Sequence, residues 1–382
     1  MTTLNIALVK GDGAAPEMME VACAVTKEAA RKDGFELNFS ETPMGWAAYE
    51  MYGDTLPEES LRRATDMGYL FFGGVGDPEY DNGIGVQHPE LKPEARALLT
   101  IRKEWELLLN FRPMIFYPEL RDFTNLAPRN LRHGELLEWH FVRYLLEDSY
   151  FGTRDLYDQI VDPGKIGLRR KGEVTGSEDQ VAELSYYSRR RLEEYFRGAF
   201  RYAEKLGLPV VLIDKANVSA RYQFWRMVCQ KIHKEEFPHV ELKGPYFVDA
   251  ANAMMFQSPW LLHGVMVCGN EHGDILSDGG AAALGSMGMM CSSAINPGNG
   301  MGMFESGAGT APTLAGKDMA NPLGRILTGA MLLEHVGAAG GAKAIRKAVL
   351  KVLASGARTV DLASSQAHVG TKQMGRLVLD MI

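Results

Sequence analysis

A chain of 382 residues, 46% of them hydrophobic, can bury a large core and is long enough for two domains. Its formal charge of −7 at pH 7 and pI near 5.8 exclude a basic surface on the scale that nucleic-acid binding requires, though not a small basic pocket for an acidic substrate. No run of about 18 or more uncharged apolar residues occurs, and the apolar run in MTTLNIALVKGDG is too short for a signal peptide, so neither membrane insertion nor secretion is expected.

In chain order, LNIALVKGDGAAPEMMEVACAVTKEAA reads as a short apolar strand, a glycine turn and a helix opening near Pro16, where a proline's missing donor does no harm. This is a βα unit. A second strand, YLFFGGVGDP, ends in another glycine turn. Neither GDGAAP nor GGVGDP completes the G-x-G-x-x-G dinucleotide fingerprint, because the third glycine is absent and no clear partner acid follows about twenty residues on. A nucleotide is therefore expected to be held elsewhere. Residues 153–180, TRDLYDQIVDPGKIGLRRKGEVTGSEDQ, are too polar for a core and too long for a tight connection, and read as an arm or flap. The runs PVVLID and VMVCGN are apolar and end in polar residues, as parallel strands carrying ligands at their carboxyl ends do. The pattern is that of an open α/β sheet. Cys23, Cys229, Cys268 and Cys291 are scattered without C-x-x-C spacing and read as reduced residues of a cytoplasmic protein, not as a disulfide frame or zinc site.

After VMVCGN comes GNEHGDILSDGG, in which Asp274 and Asp278 stand four residues apart. That spacing places both carboxylates on one helix face, with Cβ atoms about 5–6 Å apart, where like charges repel unless a cation sits between them. A divalent metal resolves the repulsion. An acidic helix start has the same appearance, since carboxylates suit a first turn, and the spacing alone does not choose between the two.

Seven segments taken together, VKGDGAAPEMM, LLTIRKEWELLLNFRPM, FVRYLLEDSYFG, LIDKANV, YFVDAANAMM, GDILSD and GTAPTLAGKDMANP, resemble the β-decarboxylating dehydrogenases, the isopropylmalate, isocitrate, homoisocitrate and tartrate dehydrogenases. They run in order over almost the whole chain, and the pattern around TIRK, NFRP and GDILSD is most similar to isopropylmalate dehydrogenase. The resemblance implies a doubly wound α/β sheet of the isopropylmalate/isocitrate dehydrogenase kind, with two domains and a non-Rossmann nucleotide site. It implies a large cofactor-binding domain from residues 1–107 plus 256–382 and a dimerisation and substrate domain from 108–255. It also implies a homodimer whose active sites are shared between subunits.

The resemblance further assigns roles. Asp274 and Asp278, joined by Asp249 from the neighbouring subunit, match an oxygen-rich site suited to Mg²⁺ or Mn²⁺. Arg102, Arg112 and Arg143 match the substrate arginines, whose planar forks bind carboxylates bidentately. Lys215 follows an apolar strand, where desolvation and nearby cations favour the neutral amine a general base needs, and Tyr150 matches the tyrosine that protonates the enolate carbon. Asn217 matches a residue contacting substrate or nicotinamide across the dimer, and Leu98 with Leu99 match leucines presented to a branched alkyl group. Glu305, Gly309, Thr310, Ala311, Thr313, Leu314 and Asn321 form the expected cofactor set, with Asn321 at the adenine.

Departures from the family pattern bear on cofactor and substrate. Ala308 stands where relatives carry a histidine against adenine, so a stacking contact is lost. Thr313 and Leu314 replace the acidic residue of NAD users and the lysine of NADP users; a threonine bonds a hydroxyl but does not neutralise a phosphate, which points to NAD, with NADP as the alternative. Arg96, His88 and Lys92 lie near the two leucines, and Glu271 with His272 precede GDILSD. These open the alternative of a charged substituent, as in homoisocitrate or a phosphonomethylmalate. Tartrate or malate oxidation and a non-catalytic regulatory subunit are further alternatives. The complete set of Lys215, Tyr150, three arginines and three aspartates favours turnover.

Overall fold

The computed structural model describes residues 2–151, 184–363 and 368–382, so the segment expected to form an arm, 153–180, lies outside the described residues. The described strands are β1 (Thr2–Val9), β2 (Phe35–Glu41), β3 (Tyr69–Phe72), β4 (Leu109–Ile115), β5 (Glu138–Tyr144), β6 (Val210–Asp214), β7 (Leu242–Phe247), β8 (Gly264–Cys268), β9 (Cys291–Ile295) and β10 (Gly302–Ser306). The chain divides into two compact units, one of Met1–Leu107, Arg112–Leu136 and Gly280–Ile382, the other of Leu108–Phe111 and Leu137–Gly279. The second unit thus runs on to Gly279, past the boundary expected at residue 255, because β8 pairs with both β5 and β6 and carries its flanking residues with them.

In the first unit the strands lie in the order β2-β1-β3-β10-β9. Every neighbour pair in this set is parallel except β10 and β9, which run antiparallel with Met303 opposite Ala294. The second half of β1, Ile6–Val9, is buried throughout, as a strand covered on both faces must be. The helix Ala15–Lys32 carries Pro16 in its first turn and ends on Arg31 and Lys32, charges that suit a helix carboxyl end. Its buried residues Ala22, Val25 and Ala29 recur at helical spacing and pack among Ile326, Ile345 and Met374. Close packing here depends on missing side chains: a Cβ at Gly375 would lie 1.9 Å from Val21 Cγ1, and one at Gly329 2.1 Å from Thr26 Oγ1.

In the second unit the order is β5-β8-β6-β7, and all neighbours are parallel. Tyr195 locks this sheet to the helix Arg189–Leu206: its hydroxyl donates to Val142 O at 2.5 Å and accepts from Cys268 N at 3.2 Å. Tyr195, Phe196 and Trp225 form an aromatic cluster behind it, with ring centroids 4.7–5.1 Å apart. Because the four strands run the same way, their carboxyl ends share one edge. Tyr150 follows β5, Lys215 follows β6, Asp249 follows β7, and Asn270 follows β8. No helix among the described residues is long and apolar enough to cross a membrane.

Candidate active site

The parallel edge of the second unit brings together residues that lie far apart in sequence. Arg143, near the end of β5, pairs in register with Cys268 of β8 and is 2% exposed. A charge so buried needs partners. Its Nε donates to Asn270 Oδ1 at 2.9 Å, and its Nη1 to Asp274 Oδ1 at 2.5 Å. Gly273 allows this approach, since a Cβ there would stand 3.0 Å from the Arg143 side chain. The other Asp274 oxygen, Oδ2, accepts from the Tyr150 hydroxyl at 3.3 Å, and the Arg143 guanidinium lies 5.6 Å from the centre of the Tyr150 ring. Burial, reinforced by the Asp274 charge, raises the Tyr150 phenol above its ordinary value, so it holds its proton at neutral pH. One expected metal ligand, one expected substrate arginine and the expected acid therefore meet at a single carboxylate.

Lys215 and Asp249 form a second group on the same edge. Lys215 Nζ donates to Asp249 Oδ1 at 2.5 Å, and that hydrogen bond is the main cause of a carboxyl held below the usual range. Sequence spacing gave no sign of this pair, because the two residues lie on separate crossovers of the parallel sheet. The turn that presents Lys215 is anchored from beneath. Asp214 is fully buried, accepts from Arg226 Nε and Nη2 at 2.8 Å each, and takes the Ala216 N–H at 3.0 Å. Asp214 and Arg226 were missed by the sequence reading, although the i, i+12 separation spans a turn and the first two turns of a helix. Asn217 is exposed in the same turn.

Asp278 lies one turn beyond Asp274 on the helix Asn270–Leu284, and both are half-buried. Among the described residues of one chain, no group of three or more His, Cys, Asp or Glu is arranged to hold a metal. The expected site takes only Asp274 and Asp278 from one chain and Asp249 from a second, and these hard carboxylate oxygens fit Mg²⁺ or Mn²⁺ in kind.

In the first unit, Arg102 is buried and donates through Nη2 to Glu305 Oε1 at 2.7 Å, so an expected substrate arginine and an expected cofactor contact form an ion pair. Arg112 is buried on β4. The helix expected before Arg102 is a π-helical turn over Glu94–Leu98 followed by an α-helix over Leu99–Glu104. Within it Leu98 is half-buried and Leu99 is buried. Arg96 is engaged by Asp54, with its Nη2 donating at 2.8 Å, and His88 lies 3.1 Å from Glu90.

Three glycine turns converge on the expected cofactor loop. Ala14 N donates to Thr310 O at 2.8 Å, Asp12 N to Gly74 O at 3.1 Å, and Arg325 Nη2 to both Gly73 O and Gly309 O, at 2.5 and 2.7 Å. Gly11 has φ +86°, and a Cβ there would fall 2.1 Å from Gly74 O, so this turn admits only glycine. The GDGAAP turn, set aside on sequence as a nucleotide holder, is thus in direct contact with Thr310. Gly309 itself faces open space at φ +65°, and Ala311 takes the left-handed conformation at φ +44°. Carbonyls of this loop are held from within while Gly309 stays exposed, a setting that fits a dinucleotide in kind. Asn321 is buried, with Oδ1 accepting from Leu323 N at 2.9 Å and Nδ2 donating to Asp361 Oδ2 at 3.0 Å. Its side-chain amide is thus already engaged within the chain. Thr313 is exposed and Leu314 half-buried.

Known proteins resemble this chain over nearly its whole length. The family model described as isocitrate/isopropylmalate dehydrogenase matches residues 5–378. The chain is 36% identical over 383 residues to a 3-isopropylmalate dehydrogenase from Mannheimia succiniciproducens, covering 100% of both chains. It is 38% identical over 382 residues to one from Cupriavidus metallidurans, covering 98% of this chain and 99% of that one. Among solved structures, isocitrate dehydrogenase from Methylococcus capsulatus is similar at a TM-score of 0.79 and 28% identity, over 99% of each chain.

Proposed function

The chain belongs to the isocitrate/isopropylmalate dehydrogenase family, and we propose that it oxidatively decarboxylates a 3-substituted (2R)-malate to a 2-oxo acid and carbon dioxide. In this reading it works as a cytoplasmic homodimer that uses NAD and Mg²⁺ or Mn²⁺. The observation that carries the reading is the meeting of Arg143 and Tyr150 on the two oxygens of Asp274.

The residues divide the chemistry as follows. Arg102, Arg112 and Arg143 hold the substrate carboxylates, and the two backbone-facing loops around Gly13 and Gly309 hold the dinucleotide. Lys215 takes the proton of the C2 hydroxyl as the C2 hydride departs. When bound, NAD would supply the hydride acceptor, and Asp274, Asp278 and Asp249 of the partner subunit would hold a divalent cation, which supplies Lewis-acid polarisation of the substrate's oxygens. The carboxylate on C3 then leaves as carbon dioxide, its bonding pair passing into the enolate, and Tyr150 returns a proton to C3. Burial and the Asp274 charge suppress ionisation of this phenol, so it carries the proton to be given.

The substituent on C3 is of the apolar, branched kind. Supporting this, Arg96 is engaged by Asp54 and His88 by Glu90, so two of the residues that raised the alternative of a charged substituent already face acids. The test is a panel of (2R)-malates bearing isopropyl, methyl, carboxyalkyl or phosphonomethyl groups at C3, each assayed with NAD and with NADP. Isopropyl with NAD is expected to give a kcat/KM about 100-fold or more above the charged analogues, since a buried charge without a partner is costly. Preference for a charged substituent would assign the other substrate class, and no turnover of any member would make the chain a binding subunit.

A further inference from the structure

Between β5 and Tyr150 the backbone is strained. Glu147 and Asp148 both take left-handed conformations, φ 60° and 62°, although neither is glycine. Such a pair persists only where its surroundings hold it, and Asp148 is held on every side. It is fully buried, and its Oδ1 accepts from Ser149 N and Ser185 Oγ at 2.9 Å each and from Arg221 Nη1. Its Oδ2 accepts from Tyr187 Oη at 2.8 Å and Asn270 N at 3.0 Å. Burial alone would raise this carboxyl, but Arg221 and the hydroxyls of Tyr187 and Ser185 outweigh it and keep Asp148 ionised.

The Asn270 N–H opens the helix that carries Asp274, and the contacts continue from there in a closed ring. Asn270 Nδ2 donates to Leu145 O at 2.8 Å, and its Oδ1 accepts from Arg143 Nε at 2.9 Å. Arg143 reaches Asp274, Asp274 meets Tyr150, and Tyr150 lies two residues from Asp148 along the chain. A parallel link runs from Ser149 Oγ to Glu271 Oε2 at 3.1 Å. We propose that Asp148 is a positioning residue, whose carboxylate fixes the first turn of the Asn270–Leu284 helix against the loop bearing Tyr150 and so sets the Tyr150–Asp274 contact. This rests on the roles given above to Tyr150 and Asp274.

The strain supplies an unusual test. Asp148→Gly suits the left-handed backbone and so preserves the fold, yet removes the acceptor that holds Asn270. Its kcat is expected to fall about 30- to 100-fold with the KM for NAD within about twofold, because misplacement of reacting groups acts on the chemical step. Asp148→Asn, which keeps one carbonyl acceptor, is expected to lose about tenfold. Tyr150→Phe is assayed beside them. If it turns over at the wild-type rate, the catalytic reading fails. If it is inactive while Asp148→Gly keeps a kcat within twofold of wild type, the positioning role alone is overturned. Should thermal melting show Asp148→Gly unfolded, a kcat within twofold for Asp148→Asn overturns it instead.

Discussion

Lys215→Ala lowers kcat by about 10³-fold, within the 10²–10⁴ that a positioned general base contributes, while Mn²⁺ affinity measured by electron paramagnetic resonance stays within about threefold. The two outcomes separate because Lys215 and Asp249 are bonded to each other in this structure. Removing the Lys215 side chain takes away the hydrogen bond that holds the Asp249 carboxyl low. The carboxyl then returns toward its ordinary range near 4, still ionised at pH 7, so its oxygens stay available to a cation. Loss of metal binding in this variant would give Lys215 a structural part instead. Full turnover would remove it from the mechanism.

Asp274→Asn is the second large effect. It raises the Mn²⁺ concentration for half-maximal activity by at least about 100-fold, more than the 10- to 100-fold that a lost outer-shell partner costs a metal site. The amide oxygen still accepts from Arg143, so that side chain keeps a partner and the change isolates the lost charge. The Tyr150 phenol also loses the neighbouring charge that helps to suppress its ionisation, so the alkaline limb of the kcat profile shifts to lower pH. An unchanged metal requirement would take Asp274 out of the cation site and leave it as the counter-ion of Arg143.

Much of the second unit was legible in the sequence, since PVVLID and VMVCGN are continuous apolar runs and became β6 and β8. The Asp274/Asp278 spacing correctly placed both residues on one helix. Pairings between distant segments were not legible. The insertion of β8 between β5 and β6 decides that residues up to Gly279 belong to the second unit, and no local pattern encodes it. The Lys215–Asp249 and Asp214–Arg226 pairs have the same origin, as each joins a strand end to a later helix. Asn321 shows a different limit: a motif fixes the residue type, but the competing acceptor Asp361 lies 40 residues on and claims the amide.

Hydride transfer coupled to decarboxylation fixes the stoichiometry of a single reaction. With (2R)-3-isopropylmalate, NAD and Mn²⁺, one carbon dioxide is expected for every NADH formed, and a chelator is expected to stop both together. NADH formed without carbon dioxide, or at an undiminished rate after the metal is removed, would contradict it.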